Sequence, residues 1–130
     1  MIVDTSALVA IAAGEPEAHR MMVAMNSATN RWIGSITVVE LHMVMTRIWG
    51  PASGGAVERL LAELHVKSIP FGSKHASVAR AAFDRFGKGR HAASLNLGDC
   101  CAYAIAMVAG LPLLFKGEDF SRTDVRVVRY

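Results

Sequence analysis

The chain is built around one apolar stretch, Leu97-Gly98-Asp99-Cys100-Cys101-Ala102-Tyr103-Ala104-Ile105-Ala106-Met107-Val108-Ala109-Gly110. No charged residue lies between Cys100 and Ala109, and a helix that is apolar all round is either buried or embedded in a membrane. This run is much shorter than the roughly 20 residues that span a bilayer. Gly110, followed by Pro112, is typical of a helix end. The stretch therefore predicts a buried core helix with Asp99 in its first turn, where the helix N-terminus can stabilise an acid.

Length and composition predict one globular domain, residues 1–130. The chain has 130 residues, of which 52% are hydrophobic and 19% charged, with a net charge of +3. The opening Met1-Ile2-Val3-Asp4 lacks the basic start of a secretory signal, so we expect a cytoplasmic protein with no membrane association. Cys100 and Cys101 are adjacent, which suits core packing better than a disulfide framework or a zinc site. The positive charge is only a mild bias towards polyanions.

Strands and helices alternate along the sequence. Met1–Val3 is a predicted strand, and Thr5 or Ser6 can cap the helix that follows. Further strands are predicted at 31–35, 67–71, 113–115 and, as a final edge strand, 126–130, and a loop is predicted at 50–55. This alternation predicts a three-layer α/β/α fold with a central parallel sheet and helices on both faces.

Four acids stand in unusual positions. Asp4 and Asp119 each follow a predicted strand, Asp99 opens the core helix, and Glu40 lies within an apolar stripe of the helix Ile36–Trp49. Capping is the ordinary explanation for Asp99, and a buried ion pair with an arginine is the ordinary one for Glu40. Carboxylates gathered at one sheet end would repel by about 4 kcal/mol per pair at ~4 Å. A divalent cation removes that repulsion, and all-oxygen ligands select Mg²⁺ or Mn²⁺, ions that commonly assist phosphate-ester hydrolysis.

At these residues the chain resembles a known family. Its motifs are Met1-Ile2-Val3-Asp4-Thr5-Ser6-Ala7-Leu8, Glu40, Asn96-Leu97-Gly98-Asp99-Cys100 and Lys116-Gly117-Glu118-Asp119-Phe120. In this order and over the whole chain they resemble PIN-domain ribonucleases, and the short length and opening resemble VapC-type toxins. The resemblance implies a PIN-like fold, a Mg²⁺-dependent endoribonuclease acting on RNA, a cognate VapB-type antitoxin and a homodimer.

The resemblance also assigns residue roles. Matched motif by motif, the catalytic and metal-binding residues are Asp4, Glu40, Asp99 and Asp119. Ser6 and Thr123 fall where the family often has supporting polar groups. Glu118 leaves open whether Asp119 alone or both acids face the metal.

A basic turn, Gly87-Lys88-Gly89-Arg90-His91, follows Arg85 near the end of a predicted helix. Such a run is most often a solvated loop. Its glycines would also let cations approach a phosphate backbone closely, so Arg85, Lys88 and Arg90 are candidate RNA contacts.

The expected antitoxin would have to block the acidic site. An arginine of the partner can pair bidentately with carboxylates without a metal. We expect apolar side chains on the early helices to hold its apolar segment, namely Met21, Met22, Met25, Leu60 and Leu64. The methionines fit equally well in the core.

A receiver-type signalling module is the alternative from another functional class. Receivers also gather acids and Mg²⁺ at the end of a parallel sheet, with a lysine after a late strand, as Lys116 would be. However, Asp4 stands alone after the first strand, and the predicted strand 67–71 ends without an acid. Incubation with acetyl phosphate separates the two functions.

Overall fold

The structure is a computed structural model that describes residues 1–51 and 55–130. The predicted loop at 50–55 therefore lies partly outside the described residues. The elements in chain order are β1 (Ile2–Val3), α1 (Thr5–Ala12), α2 (Ala18–Asn26), β2 (Arg31–Gly34), α3 (Ser35–Trp49), α4 (Ala56–Glu63), β3 (Val66–Ile69), α5 (Ser73–Phe86), α6 (Leu97–Ala109) and β4 (Leu113–Leu114), followed by a 3₁₀ helix (Phe120–Arg122).

These strands form one parallel sheet in the order β3-β2-β1-β4. The chain moves from β1 through β2 to β3 in one direction, and β4 then returns to the other side of β1, where Ile2 pairs with Leu113. In open α/β sheets the functional crevice lies beyond the carboxyl ends of the strands at such a switch point. Here that point is the exit of β1 and β4.

Each face of the sheet carries its own apolar core. Successive strand residues point to opposite faces, so Ile2 and Leu113 pack with α5 and α6, whereas Val3 and Leu114 pack with α1 to α4. All four side chains are essentially inaccessible to solvent. The predicted three-layer α/β/α architecture is confirmed.

Helix α6 is buried over most of the apolar run that predicts it, whereas Met107 and Ala109 in its last turn are exposed. Every residue from Cys100 to Ala106 is at most 3% exposed. The helix begins at Leu97 with Asn96 as its N-cap, and Gly110 ends it in the left-handed conformation. Because Cys100–Ala106 are packed in the core, the first turn of α6 holds Asp99 in a defined place.

Two local predictions are wrong. Helix α1 is capped by Asp4, whose carboxylate accepts the Ser6 amide, and Thr5 and Ser6 already lie inside the helix. The segment 126–130 forms no edge strand, because its only ladder contact is a single parallel bridge between Leu113 and Val127. Within the described ranges, no helix is long and apolar enough to cross a membrane.

The predicted partner surface on the early helices is also wrong for most of its residues. Met21 and Met25 are at most 1% exposed, and Leu64 is 7% exposed, because all three pack in the core between the sheet and α1 to α4. Met22 and Leu60 are partly buried against the same core. The alternative that the methionines belong to the core holds for Met21 and Met25.

Candidate active site

The four acids come from four different elements around the exit of β1 and β4. Asp4 directly follows β1, Asp119 lies five residues beyond β4, Asp99 is the third residue of α6, and Glu40 lies in the middle of α3. Their charges act on one another in a chain of pairs, Glu40 on Asp4, Asp4 on Asp99, and Asp119 on Asp99. The fold therefore brings all four into one electrostatic cluster.

Asp4 is the most deeply buried of the acids, with 4% of its surface exposed. Its Oδ2 accepts hydrogen bonds from the Ser6 amide at 3.0 Å and from the Ser6 hydroxyl at 2.6 Å. The Lys116 amide donates to that hydroxyl oxygen at 2.9 Å, which ties the exit of β4 to the exit of β1. Burial raises the pKa of Asp4 above its ordinary value; the Ser6 bonds oppose this and the Glu40 charge adds to it.

Glu40 is half-buried and is held by one hydrogen bond. The Thr5 hydroxyl, itself buried, donates to Glu40 Oε2 at 2.6 Å. The ion pairs in the described part of the chain involve Arg85 with Asp124 and Lys116 with Glu15 and Glu17, so none joins Glu40 to an arginine. The buried ion pair expected as the ordinary explanation is therefore not found there.

Asp99 forms a capping box with Asn96. The Asn96 amide donates to Asp99 Oδ2 at 2.8 Å, and the Asp99 amide donates to Asn96 Oδ1 at 3.0 Å. Asp99 thus caps its helix, as the ordinary explanation holds, and faces the other acids as well. Burial raises its pKa to about 6; the Asn96 amide lowers it, and the charges of Asp4 and Asp119 raise it further.

Asp119 differs from the other three acids because it is exposed, as is Glu118. It precedes the 3₁₀ helix, and no side-chain hydrogen bond caps that turn. The Thr123 hydroxyl donates to the Phe120 carbonyl at 2.8 Å and accepts from the Val125 amide at 3.3 Å. Thr123 therefore shapes the turn after Asp119 rather than touching another acid of the cluster.

One pattern is shared by Asp4, Glu40 and Asp99. In each, one carboxylate oxygen is fixed by a hydrogen bond within the chain, from Ser6, Thr5 and Asn96 respectively. Among the described residues no further hydrogen bond reaches Glu40 or the side chain of Asp99, whereas Asp4 also interacts with the Thr5 backbone amide. Carboxylate oxygens are hard donors that fit Mg²⁺ or Mn²⁺. Burial raises the pKa of the neighbouring Cys100 and Cys101 thiols, which keeps these sulfurs protonated.

The four acids are not close enough together to form a ready-made metal site. Within residues 1–51 and 55–130, no three side chains of His, Cys, Asp or Glu lie close enough together to hold one metal ion as they stand. Of the four acids, Asp4, Glu40 and Asp99 are anchored by hydrogen bonds within the chain, and Asp119 is exposed.

The basic turn lies at the end of α5. Arg85 pairs with Asp124 at 2.9 Å, and the Tyr103 hydroxyl donates to the other oxygen of Asp124 at 2.6 Å. Lys88 is exposed, and the Arg90 guanidinium lies 5.3 Å from the centre of the Phe83 ring. Arg85 therefore sits beside the segment that follows Asp119, while Lys88 and Arg90 remain on the surface.

Sequence reasoning missed two of the anchoring groups. Asn96 could have been found, because Asn followed by an acid three residues later is a capping pattern. The Thr5 contact with Glu40 spans 35 residues, and nothing in the local sequence signals it.

Comparison with known proteins shows the family to which the chain belongs. The family model described as PIN domain matches residues 1–126. The chain is 40% identical to Ribonuclease VapC30 of Mycobacterium tuberculosis over 128 residues, covering 98% of each chain. It is 41% identical to Ribonuclease VapC of Mycolicibacterium smegmatis, covering 98% of this chain and 99% of that one.

Solved structures give the same fold. Mycobacterium tuberculosis VapC20, described as a toxin that cleaves the sarcin–ricin loop, superposes with a TM-score of 0.78 at 17% identity, covering 99% of this chain and 98% of that chain. A toxin–antitoxin complex from Klebsiella pneumoniae gives a TM-score of 0.72 at 21% identity, covering 99% and 97%. These findings confirm the resemblance drawn from the motifs and favour it over the receiver-type module.

Proposed function

Because this chain belongs to the PIN-domain family and groups there with VapC ribonucleases, we propose that it is a metal-dependent endoribonuclease that acts as the toxin of a toxin–antitoxin pair. The observation that carries the proposal is the set of carboxylates at the switch point of the sheet. In Asp4, Glu40 and Asp99 one carboxylate oxygen is fixed by a hydrogen bond within the chain, and none of the three is paired with a cation of the described residues. Such an arrangement suits a cation better than it suits a structural ion pair.

The cofactor in this proposal is Mg²⁺ or Mn²⁺. Asp4, Glu40, Asp99 and Asp119 would hold it, because their donors are all oxygens and no cation of the described chain pairs with any of them. When bound, such an ion activates a water and stabilises the leaving oxygen of a phosphodiester.

Neighbouring residues orient the carboxylates through hydrogen bonds. Ser6 fixes the orientation of Asp4, and the Lys116 amide in turn fixes Ser6. Thr5 directs Glu40 in the same way. Because the pKa of Asp99 is about 6, its carboxylate is charged at neutral pH while still feeling the repulsion that a cation would relieve.

RNA is the proposed substrate. The phosphates of RNA are repelled by the carboxylates, so RNA should approach the acidic cluster only where positively charged side chains beside it bind the phosphates. Arg85 lies beside the segment after Asp119, and Lys88 and Arg90 are exposed nearby in sequence, so these three are the proposed phosphate contacts.

A VapB-type antitoxin is the proposed protein partner. The solved relatives include toxin–antitoxin complexes from Klebsiella pneumoniae and Rickettsia felis, which supports this proposal. An arginine of the partner entering the cluster would pair with the carboxylates that otherwise take the cation.

A homodimer is also proposed, formed through the outer face of α3 and the adjoining groove. Val39 and Met43 are 59% and 65% exposed, and Leu97 is 78% exposed. Ile36 of α3 and Phe83 of α5 line the adjoining groove, which has a volume of about 580 Å³. Apolar surface of this kind on one face favours association with a second copy.

The experiment compares the parent chain with Asp4→Asn. We expect the parent to cut RNA in Mg²⁺ and to arrest growth when expressed alone, with relief by the adjacent antitoxin. Asp4→Asn should abolish cleavage and toxicity while keeping the fold, since it removes one donor and also one source of repulsion. Millimolar Mg²⁺ should raise the melting temperature of the parent, because an ion that binds only the folded state stabilises it.

The matched control is Glu58→Gln, which neutralises an exposed acid on α4. It should cut RNA as the parent does. Cleavage by Asp4→Asn at the parent rate, or a preference of the parent for zinc, would contradict the proposed site. If the parent chain cuts RNA but neither arrests growth nor binds the adjacent antitoxin, the proposal of a nuclease would stand and the proposal of a toxin would be refuted.

A further inference from the structure

Gly98 lies directly beneath the carboxylate of Glu40. A Cβ atom built on Gly98 would overlap Glu40 Oε1 and would stand 2.6 Å from Cδ and 2.8 Å from Oε2. Carbon atoms of real side chains do not approach so closely. The Glu40 carboxylate can therefore rest on the first turn of α6 only because residue 98 has no side chain.

The backbone does not require glycine at this position. Gly14, Gly50 and Gly110 are among the glycines with positive φ, whereas Gly98 is helical and is not. Glycine is a poorer helix former than alanine. The residue thus weakens its helix without any conformational need, and the space that it leaves is filled by Glu40.

The opposite side of the carboxylate is held as well. Thr5 donates to Glu40 Oε2 at 2.6 Å, so the group is confined between a hydroxyl of α1 and the bare backbone of α6. Asp99 is the next residue after Gly98. The contact thus sets Glu40 against the turn that carries a second acid of the cluster.

We propose that Gly98 is a positioning residue, which by lacking a side chain lets the Glu40 carboxylate reach the acidic cluster. This inference rests on the proposed metal-dependent function. It concerns where one donor stands, and it assigns to Gly98 no contact with metal or RNA.

The test is Gly98→Ala. The obstructing atoms belong to the end of a flexible side chain, so the Glu40 carboxylate should move and the fold should remain. The melting temperature without metal should stay level or rise, since alanine favours the helix. Mn²⁺ affinity, measured by titration calorimetry, should fall at least tenfold, and RNA cleavage should fall at least tenfold.

The matched control is Gly72→Ala. Gly72 also stands at a helix N-terminus without positive φ, and a Cβ there would meet nothing within 4 Å. This variant should bind Mn²⁺ and cut RNA like the parent.

A double-mutant cycle separates positioning from any other effect of the methyl group. In the Glu40→Asp background the carboxylate is one methylene shorter and no longer overlaps the added Cβ. Gly98→Ala should then change Mn²⁺ affinity less than twofold, against at least tenfold in the parent background.

Three results would overturn the positioning role alone. Gly98→Ala could bind Mn²⁺ as tightly as the parent, or it could melt well below Gly72→Ala. Gly98→Ala could also lose the same Mn²⁺ affinity in the Glu40→Asp background as in the parent background. A parent chain that neither binds Mn²⁺ nor cuts RNA would instead refute the proposed function, and this inference with it.

Discussion

Replacing Asp99 with asparagine should stabilise the metal-free protein at neutral pH. The Asp99 side chain accepts the Asn96 amide, and the amide oxygen of asparagine can accept the same bond. The charge is what the site disfavours, because burial and the charges of Asp4 and Asp119 raise the pKa of Asp99 from 3.8 to about 6. Asn is a neutral replacement of nearly the same shape, so Asp99→Asn removes this cost.

The magnitude follows from the pKa. A rise from 3.8 to about 6 corresponds to about 3 kcal/mol in a site without solvent. Asp99 is only half-buried, and solvent screening reduces the effect to about 1–2 kcal/mol. For a domain of this length that gain should raise the melting temperature by roughly 3–8 °C.

The gain in stability of Asp99→Asn over the parent should increase with pH. Between pH 3.8 and about 6 the folded parent holds a proton on Asp99 that the unfolded chain has lost. The stability of the parent therefore falls as pH rises through this window, and the full cost is present above it. The difference between variant and parent should be near zero at pH 4 and largest above pH 6.

The assay is thermal unfolding of both proteins in EDTA from pH 4 to pH 8. Adding Mg²⁺ should shrink or reverse the difference, since the parent gains a ligand that the variant binds less well. A variant less stable than the parent at pH 7.5 in EDTA, or a gain that is the same at pH 4, would refute the reasoning.

Two further predictions concern surfaces of the chain. Replacing Arg85, Lys88 and Arg90 together with alanine should weaken binding to every RNA and reduce the salt dependence of binding by about 2 in slope, measured by fluorescence anisotropy at several salt concentrations. Replacing Val39 and Met43 with glutamate should convert a dimer into a monomer in light scattering, because charges on an apolar interface are costly to bury.

The controls for these variants remove or add charge elsewhere. Alanine at the exposed cations Arg59, Lys67 and Arg129 should leave the salt slope closer to that of the parent. Glutamate at exposed Ala62 on α4 should leave the dimer intact. An unchanged slope in the first triple variant would make the basic turn a plain solvated loop, and a parent that is monomeric at micromolar concentration would exclude the dimer.

The sequence predicts most of the architecture because the strongest patterns are local. The apolar run of α6 has no charged face, and its residues from Cys100 to Ala106 are buried as the composition predicts. Strands β1 and β4 are short and apolar, and β1, β2 and β3 are each followed by a helix. The exception at 126–130 has a simple cause. That segment alternates like a strand, but its ladder pairing is a single bridge between Val127 and Leu113. The Leu113 amide donates to the Arg126 carbonyl, and the Val128 amide donates to the Leu113 carbonyl.

The prediction of the site was less complete because anchoring depends on tertiary contacts. Asp4 and Asp99 could be placed from the ends of a strand and a helix. The Thr5 bond to Glu40 depends on how α1 packs beside α3, which no spacing in the sequence encodes. Met21 and Met25 were ambiguous for the same reason, since a helical apolar stripe does not say whether it meets the core or a partner.

The confinement of α6 within the core also governs how the site moves. Amide hydrogens in the buried part of this helix should exchange with solvent only when the whole domain opens, because no smaller opening exposes them. Asp99 is attached to that slowly exchanging part, whereas Asp119 follows a short strand on an exposed turn. We therefore expect Asp99 to keep its place in the folded protein, and any change in the spacing of the acids to come from the exposed Asp119.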